Sequence, residues 1–272
     1  MSQINTHPDS SLHLDNDSDL PTDLSSCDGP AWLSWSTGKD AAYTLHYINS
    51  NYPNIRIRKL LCTVNTTHQR VSLHGTRVEL MQLQIDRINE NIKANDQATI
   101  ELYICEIPDK CSHQQYESIM TRCVEKQQQD DIKYILFGDI HLTHVRAYRI
   151  KNMLNTGIQP LFPIFYTNPN VETQRQLAYS IVRSGIEAIL VCIDARVLSA
   201  DYIGAKYTIE LVDRLCELGI DCCGEKGEFH TFVTNSPLFS RPIDYELREV
   251  RQDGNFCMID VLVATPIVTA LL

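Results

Sequence analysis

The chain lacks most of the features that assign a protein quickly. No apolar run approaches the roughly 20 residues needed to cross a bilayer. The stretch Val261 to Leu272 is short and holds Thr and Pro. The beginning has neither the basic start nor the apolar core of a secretory signal. No Cys-x-x-Cys occurs among the ten cysteines. Several of them (Cys62, Cys105, Cys192) sit in strand-like apolar runs, so reduced buried thiols are expected rather than a disulfide scaffold. The adjacent Cys222 and Cys223 suit neither a zinc knuckle nor a redox pair. Basic clusters are missing too. Lys and Arg total 24 against 34 Asp and Glu, for a formal charge of −10, which argues against a nucleic-acid footprint. There are no internal repeats. There is also no Walker A loop, which needs two glycines separated by four residues and then Lys-Ser/Thr. A cytoplasmic protein without membrane or nucleic-acid partners is expected.

The negative charge is uneven. Residues 1–28 hold six aspartates and no Lys or Arg. Rich in Ser, Asp, Asn and Thr and without apolar periodicity, they read as a disordered acidic tail. Beyond them, strand-like and helix-like runs alternate. The strands are Ala31–Ser34, Ile55–Val64, Thr99–Ile107 and Ile132–Phe137; the helices are Asp40–Asn49, Ser72–Ala94 and Ser112–Asp130. Val78, Met81, Ile85 and Ile88 recur at three- and four-residue steps, which marks one buried helical stripe. A β-α-β-α rhythm with Ile-, Leu- and Val-rich strands predicts an α/β fold built on a parallel sheet. A helix over Leu142–Asn155 leads to a Pro-rich run, Gln159 to Phe165. A domain boundary is expected just after it, giving domains over 29–166 and 167–272. The second domain should hold helices over Val171–Ser184 and Ala205–Leu218, a strand over Ala188–Ile193 and closing strands, notably Phe256–Val263.

Chemistry concentrates in a few places. Ser34-Trp35-Ser36-Thr37-Gly38-Lys39-Asp40 follows the first strand and opens a helix. A turn of small residues there lets backbone N–H groups approach an anion, while the helix N-terminus and Lys39 add positive charge. Ser34, Ser36 and Thr37 offer hydroxyls. Asp40, at the helix start, is either a metal ligand or a helix cap. Gly138-Asp139-Ile140 ends another strand, so it should face the same crevice. Asp139 there suits a metal or a ribose hydroxyl, or an ordinary cap, and Arg146 lies within reach of a phosphate or of Asp139. Gly224-Glu225-Lys226-Gly227-Glu228-Phe229-His230 packs two carboxylates and a His around two glycines, suiting cation binding or proton transfer or simply a charged hairpin. His74-Gly75-Thr76-Arg77 could grip an anionic substrate.

Together these blocks resemble the diphthine–ammonia ligase family of ATP pyrophosphatases. The resemblance spans roughly residues 30–265. It rests on Leu33 to Asp40, on Phe137-Gly138-Asp139-Ile140 with Arg146 and Pro160-Leu161-Phe162-Pro163, and on Cys223 to Val233 with Ser236-Pro237-Leu238-Phe239. It implies an adenine nucleotide α-hydrolase-like, Rossmann-like ATP-binding domain followed by a smaller α+β substrate domain. It also implies a reaction in which ATP, with Mg²⁺, activates a carboxylate as its acyl-adenylate and ammonia then displaces AMP. On that reading Lys39, Asp139, Glu225, Glu228 and His230 serve catalysis. Ser34, Ser36, Thr37, Gly38, Lys39, Asp40 and Arg146 hold the nucleotide. His74, Arg77, Gly224 and Gly227 meet the acyl substrate, and Asp40 and Asp139 hold the metal.

Two departures stand out. Thr37 replaces a glycine carried by many relatives, and Ala41 replaces a serine. The Ser-Trp-Ser opening and the His-Gly-Thr-Arg segment look like the bacterial-type branch, in which the acid amidated can differ from diphthine. No extra C-terminal domain or glutaminase domain is evident within the 272 residues, so free ammonium is the expected nitrogen source. A homodimer is the expected assembly. Two other readings remain: a tRNA-modifying ATP pyrophosphatase, and a nucleotide-binding regulatory module without turnover.

Overall fold

The computed structural model describes residues 24–72, 74–95, 98–167 and 169–264. Most of the acidic tail (1–23) and the last part of the apolar C-terminus (265–272) lie outside the described residues. Residues 24–28, read as the end of the tail, form a turn in which Cys27 N–H donates to the Leu24 carbonyl and both side chains are buried.

In chain order the elements are β1 (Gly29–Ser34), α1 (Lys39–Asn51), β2 (Ile55–Asn65), β3 (Arg70–Val71), α2 (Val78–Ala94), β4 (Glu101–Ile107), α3 (His113–Gln129), β5 (Tyr134–Leu136), α4 (Thr143–Met153), β6 (Gln159–Leu161), α5 (Val171–Arg183), β7 (Glu187–Asp194), α6 (Ile209–Glu217), β8 (Phe229–Asn235), β9 (Tyr245–Asp253) and β10 (Phe256–Val263). They divide into two compact units. The first comprises residues 1–36, 40–69 and 100–169; the second comprises 37–39, 70–99 and 170–272. The last break falls between residues 169 and 170, and the segments 37–39 and 70–99 of the N-terminal half belong to the second unit.

The first unit is the expected α/β structure. β1 pairs in parallel with β2 on one side and β5 on the other, β4 pairs with β2, and β6 pairs with β5. The chain therefore runs outward from β1 through β2 to β4, then returns to the opposite side of β1 for β5 and β6. The order reverses between β1 and β5, and ligands of such sheets bind outside the carboxyl ends of the strands at that point. Trp32, Leu61, Ile119, Ile135, Phe137 and Met153 are among the apolar side chains packed in its core. α3 starts on a capping box: Ser112 accepts from Gln115 N–H while the Gln115 side chain accepts from Ser112 N–H. β6 was not expected. Its Pro160 is tolerated because, among the described residues, β6 is an edge strand that pairs only with β5.

The second unit is built on an antiparallel sheet in the order β8-β7-β10-β9. β7 is buried from Ala188 to Asp194. α5 and α6 contribute buried faces through Leu177, Ala178 and Ile181 and through Leu211, Val212 and Leu215. Two helices begin later than expected. α2 starts at Val78, not Ser72, because Val71 and Thr76 are bridged by a tight turn. In that turn Gly75 takes φ +68, its N–H bonds the Val71 carbonyl, and Val71 N–H bonds the Thr76 carbonyl. α6 starts at Ile209 because residues 204–207 run extended against β7 (Leu190 N to Ala205 O, 2.9 Å; Tyr207 N to Ala188 O, 2.8 Å) and Thr208 caps the helix through Leu211 N–H.

Candidate active site

In the first unit, the loop after β1 reaches α1 where the strand order reverses. Ser34 and Ser36 are half-buried there. Asp40 stands in the first turn of α1, where the helix dipole favours its negative charge. The strand ends come very close together: a Cβ on Gly138 would lie 3.1 Å from the carbonyl carbon and oxygen of Asp40 and 3.2 Å from the Ala41 nitrogen. Asp139 does not cap α4; that position belongs to Leu142, without a side-chain hydrogen bond. Both Asp139 carboxylate oxygens instead accept from Arg149, from Nε at 2.5 Å and from a terminal nitrogen at 3.0 Å. Arg146, expected near Asp139, lies over Phe162 and Phe165, its guanidinium 5.4 and 5.0 Å from the ring centroids. An octahedral magnesium site needs carboxylate oxygens turned towards the cation. With Asp139 forked onto Arg149, the pair Asp40 and Asp139 does not fit that need.

In the second unit, residues 37–39 are held tightly. Thr37 has φ +70, a conformation costing a β-branched residue roughly 1–3 kcal/mol. Its carbonyl accepts from Val233 N–H (3.0 Å) and Gln84 Nε2 (3.1 Å), and its hydroxyl bonds the Thr76 hydroxyl (3.1 Å). A glycine here, as the resemblance leads one to expect, would carry no such strain. A Cβ at Gly38 would lie 2.8 Å from His74 Cε1 and 3.2 Å from the Thr231 carbonyl oxygen, so only glycine fits without movement. Lys39 is only 2% exposed. Its N–H donates to Thr231 Oγ1 (3.1 Å), its Nζ donates to the Cys223 carbonyl (2.5 Å), and Nζ lies 5.3 and 5.5 Å from the Tyr207 and Phe229 ring centroids. A carbonyl and two ring faces thus receive a buried ammonium.

His74 and His230 stand beside this loop with ring centroids 4.6 Å apart. His74 Nδ1 lies 3.1 Å from the Thr231 carbonyl oxygen. A carbonyl only accepts, so Nδ1 carries the proton and the neutral ring presents a lone pair at Nε2. Burial, reinforced by the Lys39 charge, drops His74 to about 4 against the bond to Thr231. Burial also depresses His230 well below the usual imidazole range, helped by His74 and Lys39. Both rings are neutral at pH 7. Gly224 and Gly227 flank the turn that leads into β8. Glu228 in that turn is buried, and one of its oxygens accepts from Lys226 N–H (2.9 Å). Burial raises its pKa above the ordinary glutamate value. Glu225 is half-buried. Arg77 is forked onto Asp260 (Nε to Oδ1 3.0 Å, a terminal nitrogen to Oδ2 2.8 Å), and Arg70 reaches the same carboxylate at 2.8 Å.

The second unit therefore gathers Thr37, Gly38 and Lys39 with His74, His230 and the turn after Cys223. The first unit gathers Asp40 with Gly138 and forks Asp139 onto Arg149, while Arg146 lies over Phe162 and Phe165. A family model described as "Diphthamide synthase C-terminal domain" matches residues 173–263, a span that includes Glu225, Glu228, His230 and Asp260. Diphthine–ammonia ligase from Homo sapiens is 23% identical over 79% of this chain and 82% of its own length. The Rattus norvegicus diphthine–ammonia ligase is 25% identical over 67% of this chain and 66% of its own. The C-terminal part of the chain thus matches the diphthamide synthase C-terminal domain, and the chain is similar to diphthine–ammonia ligases. Among solved structures, the U34-tRNA thiolase NcsA from Methanococcus maripaludis with its [4Fe-4S] cluster aligns over 60% of each chain at 13% identity, with a TM-score of 0.37.

Several residues that position the candidates were missed from the sequence. Arg149, Asp260, Thr231 and Gln84 were all overlooked. Asp260 did leave a signal, as a lone carboxylate inside the apolar run Phe256 to Val263. Arg149 left none beyond lying one helical turn past Arg146.

Proposed function

We propose that the protein is an ATP-dependent amide-forming ligase. ATP and a carboxylate give an acyl-adenylate and pyrophosphate; ammonia then attacks the acyl carbon, the C–O bond to AMP breaks, and the amide and a proton are released. The observation that carries this reading is the loop through Gly38 and Lys39, which opens a helix after the central strand, allows no side chain at Gly38 and holds a buried cation. Such a loop supplies amide dipoles and positive charge where charge builds on the α-phosphate and on the leaving pyrophosphate. The name of the curated relatives supplies the reaction class. Lys39 exchanges the Cys223 carbonyl for phosphate oxygens. His74 and His230, being neutral, accept hydrogen bonds from an ammonium or amine without repelling it. Glu225 and Glu228 position ammonia or the acyl substrate. The acid itself is a protein side chain or a small molecule. Among the described residues no helix is long and apolar enough to cross a membrane, in keeping with work in the cytoplasm.

The test supplies ATP labelled at the α-phosphate, as its magnesium complex, with ammonium and an extract of the source organism. Extract-dependent AMP, stimulated by ammonium, is expected. ADP as the labelled product would reject α–β cleavage. Saturable ATP binding without turnover would favour the regulatory reading, to which the engagement of Lys39 by Cys223 and the missing hydroxyl at Ala41 lend support. Glu228→Gln is expected to lower amide formation roughly tenfold or more if the carboxylate handles a proton or cation. An unchanged rate would remove Glu228 from the mechanism.

A further inference from the structure

The buried cysteines of the second unit do something the adjacent spacing of Cys222 and Cys223 does not announce. One carboxylate oxygen of Asp221 and the sulfurs of Cys222 and Cys223 lie within 4.8 Å of one another, with all three residues buried. From these positions we propose that Asp221, Cys222 and Cys223 supply three ligands of a site for one soft divalent cation of the zinc class, with water completing the coordination. The proposal is independent of the ligase reading.

Distances, charge and surroundings carry it. In a tetrahedral zinc site with Zn–S near 2.3 Å, the ligand atoms sit roughly 3.5–3.8 Å apart. Three donors already within 4.8 Å need only side-chain adjustments of about an ångström or less to reach that geometry. Two thiolates and a carboxylate carry three negative charges, and a divalent ion neutralises two of them. The Lys39 ammonium, on the Cys223 carbonyl, offsets a third. The donors are two sulfurs and one oxygen, which favours zinc over magnesium or calcium. Asp221, Cys222 and Cys223 are all buried, so an ion there is shielded from bulk solvent.

The surrounding bonds orient the donors as outer-shell partners do. Cys223 N–H holds Asp221 Oδ1 at 2.9 Å, and Gln174 Nε2 reaches Oδ2 at 3.4 Å. The Cys223 thiol points at the Gln174 carbonyl at 3.4 Å. The Cys222 carbonyl accepts the Tyr207 hydroxyl at 2.8 Å, and Gly224 N–H bonds the Asp221 carbonyl at 2.9 Å. An ion here would fix the turn whose Cys223 carbonyl receives Lys39.

The test uses the full chain, purified under reducing conditions, stripped with a chelator and titrated with cobalt(II), then competed with zinc(II). One equivalent of cobalt with an intense thiolate-to-metal charge-transfer band, displaced by zinc, is expected. The wild-type titration alone can overturn the proposal: no band, or only weak binding without sulfur charge transfer, would do so. Cys222→Ser and Cys223→Ser should each weaken cobalt binding at least roughly 100-fold, and the milder Asp221→Asn should weaken it roughly 10- to 100-fold. Cys111→Ser, in the first unit, should leave it unchanged. Binding lost with Cys111→Ser but kept with Cys222→Ser would place the ion elsewhere and reject this site. Circular dichroism of each variant separates lost ligation from lost fold.

Discussion

Lys39→Met is expected to lower AMP formation from ATP by roughly 10²- to 10³-fold, the loss typical of removing one preorganised charge stabiliser. Methionine keeps the length and most of the volume of the lysine stem, so the packing against Tyr207 and Phe229 survives. What goes is the ammonium, and the Cys223 carbonyl loses its Nζ donor, at a cost of about 1–3 kcal/mol. Pyrophosphate release and a thermal melt on the same preparation separate the two effects. A variant that melts a few degrees early and still turns over within threefold of wild type would make Lys39 a structural residue and sink its assigned role.

The second large effect concerns Asp260. Its carboxyl is held down to about 2 from an ordinary 3.8, first by the hydrogen bond to Arg77, then by that to Arg70 and by both charges, against the cost of burial. A carboxylate with a depressed folded pKa stabilises the fold above its unfolded pKa and loses that contribution as pH falls through the folded value. The window is therefore pH 4 down to about 2. The shift corresponds to about 2 kcal/mol at neutral pH. The Asp260 side chain is only 9% exposed, but the Arg77 side chain is 36% exposed, so solvent screens part of that arginine's share. Asp260→Asn is expected to lower unfolding free energy by about 2 kcal/mol at pH 7, a gap that closes towards pH 2. Urea titrations at three pH values check this. A gap that does not change with pH would mean that packing, not charge, holds Asp260 in place.

Local signals made much of this protein legible from its sequence. The β1-loop-α1 passage, the stripe of Met81, Ile85 and Ile88 on α2 and the capped start of α3 are written in neighbouring residues, and they appear where the pattern puts them. What could not be read depends on partners far along the chain. Lys39 meets Cys223 across 184 residues and Arg77 meets Asp260 across 183, distances at which no periodicity speaks. The late start of α2 depends on Gly75 taking a left-handed conformation, which a helical pattern does not forbid. Helical phase could not name the partner of Asp139, since Arg146 and Arg149 share one face of α4 a turn apart; the forked bond comes from Arg149.

The second unit is assembled from pieces of the chain that are made at very different times. Residues 37–39 and 70–99 leave the ribosome well before 170–264 exist, yet Gln84 donates to the Val233 carbonyl and Leu80, Met81, Ile85 and Ile88 are buried. During synthesis the apolar side of α2 must wait, uncovered, for more than a hundred residues to follow. At cellular translation rates of roughly 5–20 residues per second, that is an interval of many seconds in which a nascent chain can be bound by a chaperone or can aggregate. For the same reason, a fragment starting at residue 167 would lack α2 and the Lys39 segment, and so would carry an exposed seam where they belong.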